Sequence, residues 1–326
     1  MRAAVLTAPE TVELTTVPDP VPDVGEVLVR MRAVGLCGSD LGVWSGARAV
    51  PEMPWIMGHE GGGEVVAVGV GVDPGRVGEQ VVIEPNYPCL ECEACASGTT
   101  SVCPRRGILG MNMPGLLAEL VAVPEQFVHS VTGVAASTEA LAVIEPTAVA
   151  RAATAVSEVP SGADVLVTGA GSQGLLVIQL LVAAGAKPWV MELDIGRRAL
   201  ARELGAVGVE DASAPAKFSH VIDAVGTSGL WQVMLPKVAA PVTVTVIGMS
   251  EDPLPLTTKQ ITRGRMTLRG TIIYDHPHDF EQAVAAVGSG EIDPQAILTE
   301  ATPFSEAGEA FASASSARGK TWIRFD

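Results

Sequence analysis

The sequence lacks any run of basic residues longer than a pair such as Arg105 and Arg106. Its 21 Lys and Arg are outnumbered by 37 Asp and Glu, and the formal net charge is −16 at pH 7. A chain of this charge repels the phosphates of nucleic acids and of anionic membranes. We therefore expect neither nucleic acid nor a membrane as a partner, and we expect a small-molecule substrate instead.

The sequence also lacks the features of a secretory leader and of a transmembrane helix. Pro9 and Glu10 interrupt the first apolar residues before a leader core could form, which predicts a cytoplasmic protein. Residues 165–186 carry no charge and are long enough to span a bilayer. The glycines at 169, 171 and 174, however, divide this stretch into a short strand and a helix.

Hydrophobic residues make up 48% of the 326 residues and charged residues 18%, a composition typical of globular proteins whose length suits two domains. Residues 1–147 contain short β-branched runs between Gly and Pro, which predicts a β-rich domain. Strand and helix patterns alternate over residues 148–274, as in a parallel sheet with crossover helices. A helix over 279–287 and a strand over 321–325 follow, and this strand is expected to return residues 275–326 to the first domain.

Four of the five cysteines lie in one short segment, residues 84–105, separated by two, two and seven residues: Cys89, Cys92, Cys95 and Cys103. Four thiolates at this spacing can close a tetrahedral shell with no open position, which predicts a structural zinc site. A disulfide pair, an iron–sulfur cluster and a redox couple are the alternatives, and a cytoplasmic chain with neutral surroundings disfavours each of them.

The fifth cysteine, Cys37, stands apart and is followed 22 residues later by His59 and Glu60. Taken singly, such residues are usually buried or surface groups without a metal. Together they supply the ligands of a catalytic zinc that keeps an open position. Asp40 is a candidate to fix the imidazole of His59, and the Ser39 hydroxyl is a candidate to carry the substrate proton outward.

Glu145 is a carboxylate in an apolar stretch, directly before Pro146. A charge at the N-terminus of a helix, ahead of a favourable proline, is one interpretation. A role at the metal, as ligand or as partner of its water, is the other, and the sequence leaves both open.

A glycine-rich loop predicts a dinucleotide site. Gly169, Gly171 and Gly174, with Ser172 and Gln173 between them, follow a predicted strand and open a predicted helix. The first glycine permits the turn, the second lets the backbone approach a pyrophosphate, and the third allows close helix packing.

The next predicted strand ends at Glu192, eighteen residues after Gly174, where a carboxylate binds the adenosine ribose hydroxyls. Because a carboxylate repels a 2′-phosphate, NAD is favoured over NADP, although Arg197 and Arg198 lie close by. Asp194 is a competing acid whose alternative role is to cap the next helix.

These motifs resemble those of the zinc-containing medium-chain dehydrogenases, and above all their polyol, threonine and butanediol branch. The matching motifs are Gly58-His59-Glu60-x-x-Gly63 continuing to Gly69, the four-cysteine segment, Cys37-Gly38-Ser39-Asp40, Glu145-Pro146, and the glycine loop with Glu192. The resemblance covers essentially the whole chain. It implies an α/β protein with a GroES-like catalytic domain and a Rossmann NAD-binding domain. It also implies a homodimer or homotetramer that assembles through residues 242–271.

The resemblance also assigns roles to single residues. Cys37 and His59 correspond to zinc ligands, Glu60 and Glu145 to carboxylates that alternate as ligand or water partner, and Ser39 to the proton relay. Two positions depart from the pattern. Gly42 stands where relatives often carry a relay histidine, and Ala152 stands where they often carry a histidine after Glu-Pro. Proton exit would then use water or the cofactor ribose, and the substrate pocket would differ.

The resemblance therefore implies a zinc-dependent oxidoreductase that transfers a hydride between a small secondary alcohol or polyol, or its ketone, and NAD(H). One alternative is a zinc-free quinone or enoyl-type reductase, which would have no use for Cys37 and His59. Another is a nucleotide-binding sensor of the same fold without turnover, which the changes at Gly42 and Ala152 leave open.

Overall fold

A computed structural model describes residues 1–134 and 137–326, which divide into two compact units. The first unit holds Met1–Glu145, Asp275–Gly290 and Leu298–Asp326, and the second holds Pro146–Tyr274 and Glu291–Ile297. The sequence had suggested that residues 291–297 belong with the catalytic domain. They group with the second unit, where Gln179 bonds both the N–H and the carbonyl of Asp293, at 2.8 and 3.2 Å.

Short strands and helices alternate through the described residues. The strands are β1 (Arg2–Ala8), β2 (Thr11–Thr16), β3 (Glu26–Gly35), β4 (Trp55–Ile56), β5 (Glu60–Val68), β6 (Gln80–Ile83), β7 (Asn86–Tyr87), β8 (Gly107–Ile108), β9 (Leu120–Pro124), β10 (Val128–Ser130), β11 (Asp164–Thr168), β12 (Lys187–Met191), β13 (Val207–Gly208), β14 (Phe218–Asp223), β15 (Val238–Val246), β16 (Met266–Gly270), β17 (Thr302–Pro303) and β18 (Trp322–Arg324). The helices are α1 (Gly38–Trp44), α2 (Glu93–Ala96), α3 (Ile144–Ser157), α4 (Ser172–Ala183), α5 (Ile195–Glu203), α6 (Ser228–Met234), α7 (Thr258–Gly264), α8 (His278–Ser289) and α9 (Ala307–Ala314).

The first unit is built on a largely antiparallel sheet with the strand order β10-β6-β5-β3-β18-β17, and β9 also pairs with β3. Along β3, Val27, Val29 and Met31 are buried whereas Arg30 is exposed, so alternate side chains face the core. The closing strand β18 pairs antiparallel with β3, with Ile323 opposite Val34. The predicted β-rich fold is confirmed.

The second unit contains a six-stranded sheet with the order β13-β12-β11-β14-β15-β16, in which every pairing is parallel. Val165, Leu166 and Val167 in β11 are fully buried, as expected where both faces of a parallel strand are covered. The order reverses direction between β11 and β14, and such a switch point is where open α/β sheets bind ligands. The predicted Rossmann fold is confirmed.

The uncharged stretch of residues 165–186 is divided as predicted, because it contains the strand β11 and the twelve-residue helix α4. Within residues 1–134 and 137–326, none of the helices combines the length and the apolar character that a bilayer crossing requires.

Candidate active site

A fully buried carboxylate, Asp40, organises a cluster between the end of β3 and the start of β5. Its Oδ2 accepts the backbone N–H of Cys37 at 2.9 Å, and its Oδ1 accepts the N–H of Gly58 at 3.1 Å. The same Oδ1 lies 3.2 Å from Nδ1 of His59. Because Asp40 occupies Nδ1, the nitrogen of His59 left for a further partner is Nε2.

The structure brings Cys37, His59 and Glu60 together, with one ligand atom of each within 4.8 Å of the others. The Oγ of Ser39 lies 3.4 Å from Nε2 of His59. A tetrahedral zinc ion at about 2.0–2.3 Å from its ligands would separate them by about 3.3–3.8 Å. The three side chains therefore fit one ion after small movements, and their role as its ligands is a proposal.

Glu145 is also buried, as the second residue of α3. It does not join Cys37, His59 and Glu60 at the same 4.8 Å limit. Its charge nevertheless acts on the same surroundings, since it contributes to raising the pKa of the buried Lys320. Of the two candidate carboxylates, the structure thus places Glu60 with the cysteine and the histidine.

Lys320 is a site residue that sequence reasoning missed. Its side chain is only 1% exposed, and its Nζ donates hydrogen bonds to Oε2 of Glu60 and, at 3.2 Å, to the carbonyl of Leu36. Burial alone would lower the pKa of Lys320, but the charges of Glu60 and Cys37 raise it above the usual value. The lysine therefore remains a cation beside the candidate ligands.

Buried charges also shift the pKa values of the Asp40–His59 pair. Burial alone would lower the pKa of His59, but Asp40 and Cys37 together raise it well above the usual value. Burial likewise opposes ionisation of Asp40, yet His59 and the N–H groups of Cys37 and Gly58 bring its pKa below the usual value. The surroundings of the imidazole thus favour positive charge, which a metal ion on Nε2 would also supply.

The four cysteines of residues 84–105 converge on one point. The Sγ–Sγ distances are 3.5 Å for Cys89–Cys103 and Cys92–Cys95, 3.8 Å for Cys92–Cys103 and 4.0 Å for Cys89–Cys95. Four thiolates at 2.3 Å from a tetrahedral zinc ion would lie about 3.8 Å apart. All four are free thiols, and their separations are far longer than a disulfide bond of about 2.05 Å. The donor set therefore fits a closed zinc site.

A buried cluster that the sequence did not predict anchors this segment. The fully buried Glu84 accepts hydrogen bonds through Oε2 from Nε2 of His129, at 2.8 Å, and Nδ1 of His276, at 2.9 Å. The carboxylate of Asp275 accepts the N–H of Ser101 at 2.8 Å. Because these residues are distant in sequence and form no motif, only the fold reveals their contacts.

In the second unit, the glycine loop after β11 has the geometry of a phosphate-binding turn. Gly169 has a φ of +84°, and a Cβ on Gly174 would lie 2.0 Å from the carbonyl oxygen of Gly169. At Gly171, by contrast, a Cβ would meet no protein atom within 4 Å. The room at Gly171 therefore remains available to a ligand in front of the N-terminus of α4, where exposed N–H groups favour an anion.

Glu192 lies beside this loop. Its Oε2 accepts the N–H of Ala170 at 2.7 Å, and its Oε1 accepts the N–H of Asp194 at 2.8 Å. Asp194 in turn accepts the N–H of Arg197 at 2.8 Å and caps α5. The acid at 194 thus has the capping role, and Glu192 is the carboxylate held against the glycine loop. The Nε2 of Gln173 donates to the carbonyl of Pro146 at 3.2 Å.

The two positions that depart from the family pattern differ in their surroundings. A Cβ on Gly42 would lie 3.7 Å from the Cβ of Arg48, an ordinary contact distance. The structure therefore has room for a side chain at position 42. Next to Ala152, Arg151 forms an ion pair with Glu291 at 3.0 Å.

A β-rich unit with two candidate metal sites, and a Rossmann unit with a dinucleotide loop, define a two-domain, nucleotide-linked dehydrogenase. The family model of the alcohol dehydrogenase GroES-like domain matches residues 23–133, and that of the zinc-binding dehydrogenases matches residues 174–289. L-arabinitol 4-dehydrogenase of Hypocrea jecorina is 31% identical over 311 residues, which cover 88% of this chain and 81% of the relative. L-galactonate-5-dehydrogenase of Escherichia coli is 29% identical over 304 residues, 90% of this chain and 88% of the relative. The crystal structure of 2R,3R-butanediol dehydrogenase from Bacillus subtilis superposes with a TM-score of 0.89 at 25% identity, and 99% of each chain is covered.

The chain belongs to the zinc-containing alcohol dehydrogenase family, in its medium-chain polyol branch. It is an oxidoreductase that acts on the CH–OH group of a small-molecule substrate, with zinc and a nicotinamide dinucleotide as cofactors. The fold and the family that the sequence motifs predicted are thereby confirmed. The role of each site residue remains a proposal.

Proposed function

We propose that the protein oxidises a secondary hydroxyl of a small polyol to a ketone, or reduces that ketone, with NAD(H), at a zinc site formed by Cys37, His59 and Glu60 or Glu145. The observation that carries the proposal is the set of three ligand atoms within 4.8 Å, with Asp40 on Nδ1 of the histidine. Relatives named for arabinitol, galactonate and butanediol support a polyol as the substrate class. A bound zinc ion supplies Lewis acidity and a bound nicotinamide supplies the hydride acceptor.

The chain's own residues prepare the site for this reaction. Asp40 orients the imidazole of His59, so that Nε2 is directed away from the carboxylate. The Ser39 hydroxyl, 3.4 Å from that nitrogen, accepts the proton of the substrate hydroxyl and passes it towards solvent. With glycine at position 42, the proton leaves through water or through a hydroxyl of the cofactor ribose.

The second unit holds the dinucleotide. The loop from Gly169 to Gly174 and the N-terminus of α4 bind the pyrophosphate, with Ser172 and Gln173 in the first turn. Glu192 accepts hydrogen bonds from the adenosine ribose hydroxyls. Because its negative charge repels a 2′-phosphate, the site prefers NAD to NADP. Arg197, at the start of α5, moderates this preference.

Replacing Glu192 with alanine is expected to weaken NAD binding about tenfold, because a hydrogen bond to a charged group contributes about 1.5–3 kcal/mol. The ratio of the affinity for NAD to the affinity for NADP should also fall. Calorimetric titration of both cofactors measures the two effects. Glu192→Gln is the matched control, since it keeps an acceptor for Ala170 and the ribose but removes the charge. An unchanged ratio of the two affinities in Glu192→Ala would contradict the ribose contact.

A panel of polyols, sugar acids and diols, each offered with NAD to zinc-loaded protein, tests the proposed function. We expect NADH absorbance to rise with at least one polyol, and we expect NADH not to be consumed when quinones or enones are offered. A protein that oxidises NADH with a quinone or an enone as the acceptor, but oxidises no alcohol, would instead be a reductase. The outcome also separates an enzyme from a nucleotide sensor.

We also propose that the protein works in the cytoplasm as a homodimer or homotetramer, without nucleic acid or membrane partners. Two features support the assembly: β16 is an edge strand of the parallel sheet, and Leu268 and Ile272 are 41% and 46% exposed. An unpaired strand edge with apolar side chains favours pairing with a second copy. Light scattering that gives the mass of a single chain would contradict this.

A further inference from the structure

The path of Lys320 to the candidate metal site is set by the backbone of three strands. In the ladders, Gly35 lies opposite Glu60 of β5 and opposite Trp322 of β18. A Cβ on Gly35 would lie 2.7 Å from Cε of Lys320 and 2.9 Å from Oε2 of Glu60. The missing side chain at position 35 thus leaves the space through which the lysine reaches the carboxylate.

The backbone of Lys320 is fixed independently of that contact. Its carbonyl accepts the N–H of Thr299 at 3.0 Å, and the next carbonyl, of Thr321, accepts the N–H of Leu36 at 2.9 Å. The ammonium group therefore approaches Glu60 from a backbone segment, just before β18, that hydrogen bonds hold in place. Lys320 and Glu60 are each only 1% exposed, so water cannot replace either partner without a large cost in free energy.

The ammonium group and a metal ion would meet at the same carboxylate. Nζ of Lys320 donates to Oε2 of Glu60, and a carboxylate oxygen of Glu60 lies within 4.8 Å of the ligand atoms of Cys37 and His59. A divalent ion at Cys37 and His59 would therefore attract the carboxylate that the ammonium group already holds. An ammonium and a metal ion therefore compete for Glu60.

We propose that Lys320 is a positioning residue that holds one oxygen of Glu60 and thereby keeps this carboxylate an exchangeable, rather than a permanent, partner of the metal. This inference rests on the proposed metal site. It assigns the lysine a function that no motif of the sequence indicates. It also gives a physical reason why Glu60, although adjacent to Cys37 and His59, can leave a coordination position to the substrate.

Cobalt substitution tests the proposal with a readout other than activity. Cobalt bound by the single thiolate of Cys37 absorbs differently from cobalt bound by four thiolates, so its release to a chelator can be followed separately. Replacing Lys320 with methionine removes the competing charge and leaves Glu60 to the metal. We expect release from the single-thiolate site to slow about tenfold, the lower end of the change usual for groups that contact a metal ligand.

The variants E60Q and E60Q/K320M complete a cycle. If the lysine acts through Glu60, adding K320M to E60Q leaves the release rate unchanged. A K320M protein that unfolds like the wild type but releases cobalt at the same rate, or faster, would overturn the proposal. So would an effect of K320M that persists in the E60Q background. If K320M alone does not fold, K320Q takes its place in the same cycle, because glutamine removes the charge and keeps a hydrogen-bond donor for Glu60 and for the carbonyl of Leu36.

The experiment distinguishes failure of the proposed metal site from failure of the role of Lys320. Wild-type protein without single-thiolate cobalt absorption would remove the proposed function, and with it the role of Lys320. Wild-type protein that shows this absorption, together with a K320M protein of unchanged release rate, would remove the role of Lys320 alone.

Discussion

Replacing Cys37 with serine is expected to lower the rate of alcohol oxidation about 10³-fold, since loss of the metal's contribution removes several kcal/mol of transition-state stabilisation. Serine retains the size of the side chain and removes the thiolate. NAD binding should remain intact, because the glycine loop belongs to the second unit. Initial rates of NADH formation, together with calorimetric titration of NAD, measure the two properties on the same sample.

Ser45→Ala is the matched control for this variant. Ser45 is exposed at the end of α1, and its hydroxyl bonds to groups close in sequence, the carbonyl of Gly42 and the N–H of Ala47. The control should therefore turn over at the wild-type rate. Wild-type turnover by Cys37→Ser itself would contradict the proposed role of Cys37.

Replacing Cys103 with serine is expected to lower the unfolding midpoint by about 10 °C, for a loss on the order of 4 kcal/mol. Cys103 is the most buried of the four clustered cysteines, and its Sγ lies 3.5 Å from that of Cys89 and 3.8 Å from that of Cys92. Removing one thiolate opens the closed shell and costs the metal that stabilises residues 84–105. Calorimetry of the zinc-loaded protein measures the midpoint.

Ser97→Ala provides the control in the same segment, because Ser97 is exposed and its hydroxyl donates to the nearby carbonyl of Ala94. The zinc content of Cys103→Ser should fall by one ion per chain, while folded molecules retain some turnover. Full zinc content and an unchanged midpoint would refute a structural role. Complete loss of turnover in molecules that remain folded would instead indicate a catalytic role for this site.

The regular parts of the fold could be predicted because their sequence signals are local. The pattern of residues 165–167 followed by glycines gave the strand β11 and the start of α4 at Ser172. The helix expected over 279–287 corresponds to α8, His278–Ser289. In these segments, hydrophobic period and turn residues agree with the tertiary structure, so short-range reasoning was sufficient.

The features that could not be predicted depend on long-range pairing. Lys320 reaches Glu60 only because β18 and β5 both pair with β3, and lysines are rarely buried. Residues 291–297 group with the Rossmann unit through the side chain of Gln179, which no local pattern marks. Glu84 likewise joins two histidines that are 45 and 192 residues away. Contacts of this kind depend on how distant segments pair in the folded protein, and the sequence of a single strand does not reveal them.

We propose that Cys37 and His59 bind a metal ion in addition to the one held by the four clustered cysteines. Anomalous diffraction at the zinc edge from crystals of zinc-loaded protein tests it directly. The account predicts two peaks per chain, one of them about 2.3 Å from Sγ of Cys37 and about 2.0–2.1 Å from Nε2 of His59. A single peak, at the four cysteines, would contradict it.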